Sequence, residues 1–189
     1  MMPERKPKVR PVKLIAGVLF QKNVNLIDVG RRLVNSFGPI DHQSSIFDFI
    51  FTDYYVPEMG DHLMKQFYSF ERLVMPDSLA DIKNATIAIE CEFAKQGYRT
   101  VNIDPGYLEE SKLVLASTKN FSHRIYLRDN IWAEVTLRYM RDKFVSHDWT
   151  YVDYSQDLAI SFLTETREIY RRQLASMDNQ ERENVAESY

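Results

Sequence analysis

Hydrophobic residues along this chain fall into short runs and stripes that predict alternating strands and helices. Val12 to Phe20, VKLIAGVLF, is nearly continuous in apolar and branched residues, the pattern of a central strand covered on both faces. Asn25 with Asp28 reads as a capping box. Leu26, Val29, Leu33 and Phe37 then recur at helical spacing until Gly38-Pro39 ends the helix. Ile46 to Tyr55 has the aromatic and branched composition of a strand that Pro57 stops, and Lys65 to Val74 alternates as another. Ser78 and Asp81 make a second capping box ahead of the stripe Leu79, Ile82, Thr86, Ile89 and Phe93, with Gly97 as the C-cap. Tyr98 to Asp104 returns as a strand, which Asp104-Pro105-Gly106 should close in a turn.

The order strand, helix, strand, strand, helix, strand predicts an α+β fold, a ferredoxin-like βαββαβ antiparallel sheet with both helices on one face. Leu108 to Lys119 fits a short helix, because Glu109, Glu110, Lys112, Leu113 and Leu115 favour one. A hairpin from His123 to Leu137, turning at Asp129-Asn130, extends the sheet. A C-terminal helix from Ser155 to about Ser176 follows, carrying Leu158, Phe162, Ile169 and Tyr170 on one stripe. These elements make one domain over residues 11–177, between a basic arm (1–10) and a polar tail (178–189).

Composition narrows the function classes. With 44% hydrophobic residues and a formal net charge of −3, the chain offers no global attraction to nucleic acid or anionic membrane. Nothing approaches the roughly 20 apolar residues of a membrane span, and the charged N-terminus lacks a signal peptide's cleavage site. A lone cysteine, Cys91, forms no intramolecular disulfide, which makes the cytoplasm the expected compartment. Its place near the apolar stripe of the second helix predicts a packed thiol.

The densest chemistry lies between Val101 and Leu137. Period-2 alternation places Asn102 and Asp104 on one strand face, Arg124, Tyr126 and Arg128 on another, and Trp132, Glu134 and Thr136 on a third. If the last two faces coincide, Arg124 and Glu134 become cross-strand neighbours. Arg124 and Lys119 suit an oxyanion or phosphate, with Asn102 and Tyr126 as further ligand contacts. Asp104 with Glu134 suits a hard divalent ion such as Mg²⁺, and His123, with Asp104, suits proton transfer. The same charges equally suit a salt-bridged sheet face that only sets register. Glu58, Asp61 and His62 stand at near-helical spacing but without an HExxH pattern. Glu71 and Glu90, if inward, need Lys83 or Arg99 as counter-charge.

The strings PVKLIAGVLF, FGPID, TDYY, EMG, NIDPGYL, KLVLASTK, HRIYL and EVTL occur in that order, followed by Trp-Thr-Tyr and Asp-Tyr around Val152. As a set they resemble an uncharacterised prokaryotic family designated only as a domain of unknown function, number four-four-one-six. The resemblance spans about Pro11 to Tyr170. It departs from the family pattern at Val152, where proline is expected. Some family members carry the label GTP-binding protein. The chain has no GxxxxGK[ST] loop to cradle phosphates, so nucleotide binding would use another architecture. GxSxG, paired CxxC and GxGxxG patterns are absent too. The expectation is a site for a phosphorylated or anionic small ligand, a nucleotide such as GTP included. A non-catalytic scaffold domain is the alternative, and the sequence does not decide whether the protein is an enzyme.

Overall fold

The computed structural model describes residues 9–186; most of the predicted basic arm, and the last three residues of the tail, lie outside them. Strand β1 (Val12–Gln21) is buried along nine of its ten residues. Its even-numbered side chains Leu14, Ala16, Val18 and Phe20 pack against Val29, Leu33 and Phe37 of α1 (Leu26–Phe37) and Ile82 and Ile89 of α3 (Leu79–Glu92). The odd-numbered Ile15 joins Phe67, Tyr154, Phe162 and Leu163 on the other side. Helix α4 (Asp157–Ala186) covers that side. A continuous apolar run is what a strand covered on both faces requires.

Between the helices lie β2 (Ile40–Gln43), β3 (Phe47–Asp48), α2 (Val56–Met59) and β4 (Leu63–Val74). After α3 come β5 (Val101–Leu108), β6 (Lys112–Ser117), β7 (Ile125–Arg128), β8 (Ile131–Met140) and β9 (Lys143–Ser146). They form one nine-stranded sheet in the order β2-β4-β1-β5-β6-β8-β7, with β3 also on β4 and β9 on β8. Every pairing is antiparallel. The protein is thus α+β, with an open antiparallel sheet and a long C-terminal helix. No helix among the described residues is long and apolar enough to cross a membrane.

Several local expectations are corrected. The stretch predicted as a helix after Leu108 is β6, because its Leu113, Val114 and Leu115 fill a slot between β5 and β8 that outweighs the helix preference of the preceding glutamates. Asp104-Pro105-Gly106 is not a turn; β5 runs straight through it. Gly106 is needed because a Cβ there would meet the Val114 carbonyl oxygen at 2.4 Å. Pairing with β6 starts only at Gly106, so Pro105, which has no N–H to give, has no β6 ladder partner to lose. The strand expected over Ile46 to Tyr55 shrinks to β3, and Pro57 opens α2 rather than ending a strand.

Asn25 does cap α1, accepting from the Ile27 N–H. Ser78 instead donates to the Met75 carbonyl, and Asp81 binds Arg128, so that capping box does not form. Helix α3 ends at Glu92, and Gly97 takes its positive φ of 84° in the tight turn beyond. Cys91 is exposed. Helix α4 runs past Ser176 to Ala186, with Asp178 paired to Arg10 at 2.6 Å.

Candidate functional site

Strands β5 and β6 pair over only three residue pairs, Gly106 to Leu108 against Leu115 to Leu113. Past that point they splay, and the fork holds a cavity of about 350 Å³. Asn102 and Asp104 line it from β5, and Leu115 to Lys119 from β6 and the loop after it; Lys83, Ile87 and Glu90 line it from α3. The fork strips the inner edge of β5 of its ladder, and α3 replaces it. Lys83 Nζ donates to the Ile103 carbonyl at 2.7 Å, and the Ile103 N–H donates to Glu90 Oε1 at 2.8 Å. Buried backbone groups need such partners. Burial pushes the Glu90 carboxyl above its ordinary range, against the pull of Lys83 and the Ile103 N–H.

Arg99 lies beside this pair, 3.6 Å from Glu90, and grips Glu58 of α2 with two bonds of 2.6 and 2.7 Å. That hydrogen-bonded grip holds the Glu58 carboxyl below its ordinary range. Arg99 also donates to Asn102 Oδ1 at 2.8 Å. The contact fixes the amide's orientation, because only the oxygen accepts. Asn102 Nδ2 is left as a donor with no partner in a residue that is 5% exposed.

A second, more aromatic cavity of about 410 Å³ adjoins the first, and the two share Tyr54, Tyr55, Asp104, Lys119 and Tyr151. Lys65 closes its floor. Its ammonium sits 2.6 Å from Asp153, 3.9 Å from Asp104, and 4.7 Å from the centre of the Tyr154 ring. The Tyr154 hydroxyl is buried without a hydrogen-bond partner, and Gly17 leaves it room: a Cβ there would stand 2.6 Å from that oxygen. Burial, reinforced by the negative charge of Glu134 and Asp104, raises the Tyr151 phenol to about 12.

The expected site residues separate into two groups. Asn102, Asp104 and Lys119 border the cavities, with Lys119 Nζ 3.7 Å from the centre of the Tyr54 ring. Arg124, one residue before β7, is ion-paired with Glu134 of β8, and the two side chains are only 1% exposed. Arg124 donates to Glu134 Oε2 at 2.7 Å, to Ser117 Oγ at 2.7 Å, to the Lys119 carbonyl at 2.9 Å and to the Tyr151 hydroxyl at 2.6 Å. Glu134 also meets His123 Nε2 at 3.0 Å through Oε2 and accepts from Thr136 through Oε1. Its oxygens are thereby occupied. Among the described residues no group of three or more His, Cys, Asp or Glu side chains is placed to hold a metal ion.

His123 stacks on Trp149, and Tyr126 is exposed on the outer hairpin against Trp132, lining neither cavity. Of the acids weighed with Lys83 and Arg99, Glu90 turns inward and Glu71 stays exposed. Asp61 and His62 are both exposed. Tyr54, Tyr55, Tyr151, Asp153 and Tyr154 were not singled out from the sequence as site residues. The only signal is the tyrosine-acid clustering in TDYY and WTYVDY.

An antiparallel α+β sheet whose forked strands enclose a polar cavity beside an aromatic one is the class defined by fold and site. The family described as Domain of unknown function (DUF4416) matches residues 10–170, and the chain belongs to it. No curated protein and no solved structure matches the chain.

Proposed function

We propose that this protein binds a small anionic ligand, a phosphorylated compound or a nucleotide such as GTP held without a P-loop, in the cavity between β5 and β6. The observation that carries the reading is the Asn102 amide: Arg99 holds its oxygen, and its Nδ2 is buried without an acceptor in a residue that lines the polar cavity. An unmet buried donor costs about 1–3 kcal/mol, which an anionic acceptor would offset. Lys119 supplies charge, Ser117 and Thr118 supply hydroxyls, and the neighbouring aromatic cavity accommodates a flat or apolar portion.

In this reading Arg124 and His123 are positioning residues. Arg124 clamps Ser117 and the Lys119 carbonyl, and so fixes the loop that carries the ammonium. Any Mg²⁺ would arrive with the ligand's phosphates, with Asp104, which lines both cavities, as a candidate carboxylate, since Glu134 is already engaged. The strand order β2-β4-β1-β5, with α1 and α3 on one face, supports taking this half of the sheet as a ferredoxin-like unit to which the remaining strands add.

A thermal-shift screen of nucleotides and phosphorylated metabolites, with and without Mg²⁺, tests the reading. A ligand at about 100 times its Kd stabilises by about 2.7 kcal/mol, and Lys119→Ala should remove that response. Silence across the panel overturns it in favour of an interaction domain, for which β7 is the favouring observation: an edge strand with every residue exposed, Ile125 and Tyr126 among them.

A further inference from the structure

Accepting that anionic-ligand reading, the same cavity leaves two opposite charges unspent, and they bear on what else the ligand carries. Among the described residues Lys119 makes no ion pair; its ammonium lies over Tyr54. Asp104 is 26% exposed at its side chain, and its one cationic neighbour within 4.0 Å is Lys65, at 3.9 Å. That lysine is already matched by Asp153 at 2.6 Å. Two carboxylates thus share one ammonium, and Asp104 keeps most of its capacity to accept.

The surroundings of the two charges differ. On the fork side the unmet group is a donor, Asn102 Nδ2, next to Lys119, Ser117 and Thr118. On the aromatic side Asp104 is joined by the rings of Tyr55, Tyr151 and Trp149, with Asp148 at the lining. Ring faces are electron-rich and attract a cation, and more so when it is desolvated. A ligand with only negative charge would satisfy Asn102 and Lys119 while lying against Asp104 as a like charge, which disfavours it in a partly desolvated cavity.

The geometry points to a zwitterionic ligand, an aminoalkyl phosphate or related amine-bearing anion, with the anion at Asn102 and Lys119 and the protonated nitrogen against Asp104 in the aromatic cavity. Guanidinium, primary ammonium and alkylated ammonium groups share this chemistry. Those offering N–H donors would also hydrogen-bond the carboxylate.

Titration of the full chain with phosphoethanolamine, ethyl phosphate and ethanolamine, followed by NMR chemical shifts, tests the inference. Phosphoethanolamine should bind about tenfold or more tightly than ethyl phosphate, the effect of one charge-assisted bond. Asp104→Asn should bring that ratio to about one. Lys119→Ala, at an exposed side chain, should weaken both phosphates alike and keep the ratio. Equal affinities for the two phosphates on the parent chain overturn the zwitterion while leaving the anion site standing. Ethanolamine binding as tightly as phosphoethanolamine also overturns it, by reducing the site to a cation pocket. If neither phosphate binds, the anion site itself falls and the inference with it. Should Asp104→Asn fail to fold, the ratio on the parent chain decides alone.

Discussion

The Arg124–Glu134 cluster and the Asp104–Lys119 region are joined by Tyr151, yet they spend their charges differently. Around Arg124 every nitrogen has a protein acceptor, and Glu134 gives both oxygens to neighbours. The two side chains are almost completely withdrawn from solvent. Around Asp104 the tally is open: an amide donor and a phenol without partners, a carboxylate with one distant cation, and an ammonium resting on a ring. In sequence the two groups look alike, as acids and bases near turns. What separates them is how completely each polar atom is hydrogen-bonded. A closed network fixes geometry, whereas an open one retains binding capacity.

The largest predicted effect breaks the closed network. Arg124→Ala leaves Glu134 buried opposite only a histidine and a threonine hydroxyl, and should cost about 3–5 kcal/mol in urea unfolding. Arg124→Lys should also destabilise, because a single ammonium cannot replace bonds directed at four separate acceptors. Asp104→Asn should by contrast change stability by less than about 1 kcal/mol, since Lys65 keeps Asp153. Equal losses for Arg124→Ala and Asp104→Asn would erase the distinction between the two regions.

An intermediate effect is expected at the floor of the open region. Gly17→Ala places a methyl 2.6 Å from the Tyr154 hydroxyl and 3.0 Å from Lys65 Cε, and both groups lie in a packed interior. Relief requires moving the ring toward the aromatic cavity, at about 1–3 kcal/mol by the usual cost of overpacking. The unfolding midpoint measures the loss, and a shift of the Tyr154 ring resonances should accompany it. A variant as stable as the parent would mean that Tyr154 moves freely, and the floor of the cavity would then not be preorganised.

Short-range signals were legible in the sequence, and contacts between distant segments were not. The apolar run of β1, the stripe of α1, and the Asp129-Asn130 turn, whose residues both adopt left-handed φ values of 53° and 58°, are written in adjacent residues. The shared face of Asn102 and Asp104 follows from period-2 alternation. By contrast, β6 looks helical by propensity and is a strand because β5 and β8 flank it. Gly106 looks like a turn residue, and its real constraint is Val114 on another strand. Arg124 gives one of its hydrogen bonds to Tyr151, which is 27 residues away. No window of neighbouring residues carries that information, and for the same reason the tyrosines that line the cavities are not legible as site residues.

The smallest effect concerns the segment common to both regions. Thr150 to Tyr154 supplies the Tyr151 hydroxyl to Arg124, Asp153 to Lys65, and the Tyr154 ring to the cavity floor. Val152 opens the 3-10 turn Val152–Ser155, and Tyr151 before it has φ −58° and ψ 134°, the extended conformation that a following proline favours. The first position of a helical turn accepts proline's fixed φ and does not need its N–H. Val152 is exposed, so the ring meets no core. Val152→Pro should therefore stabilise the fold by about 0.4–1 kcal/mol, by narrowing the unfolded ensemble. It should also tighten any ligand seated against Tyr151, because the segment is then held in its binding conformation before the ligand arrives. Calorimetric melting with and without a ligand found in the thermal-shift screen separates the two effects. Gain in the apoprotein alone would mean that the turn is already rigid where the cavity needs it, and loss in both would mean that the Val152 N–H or backbone angle is required as it stands.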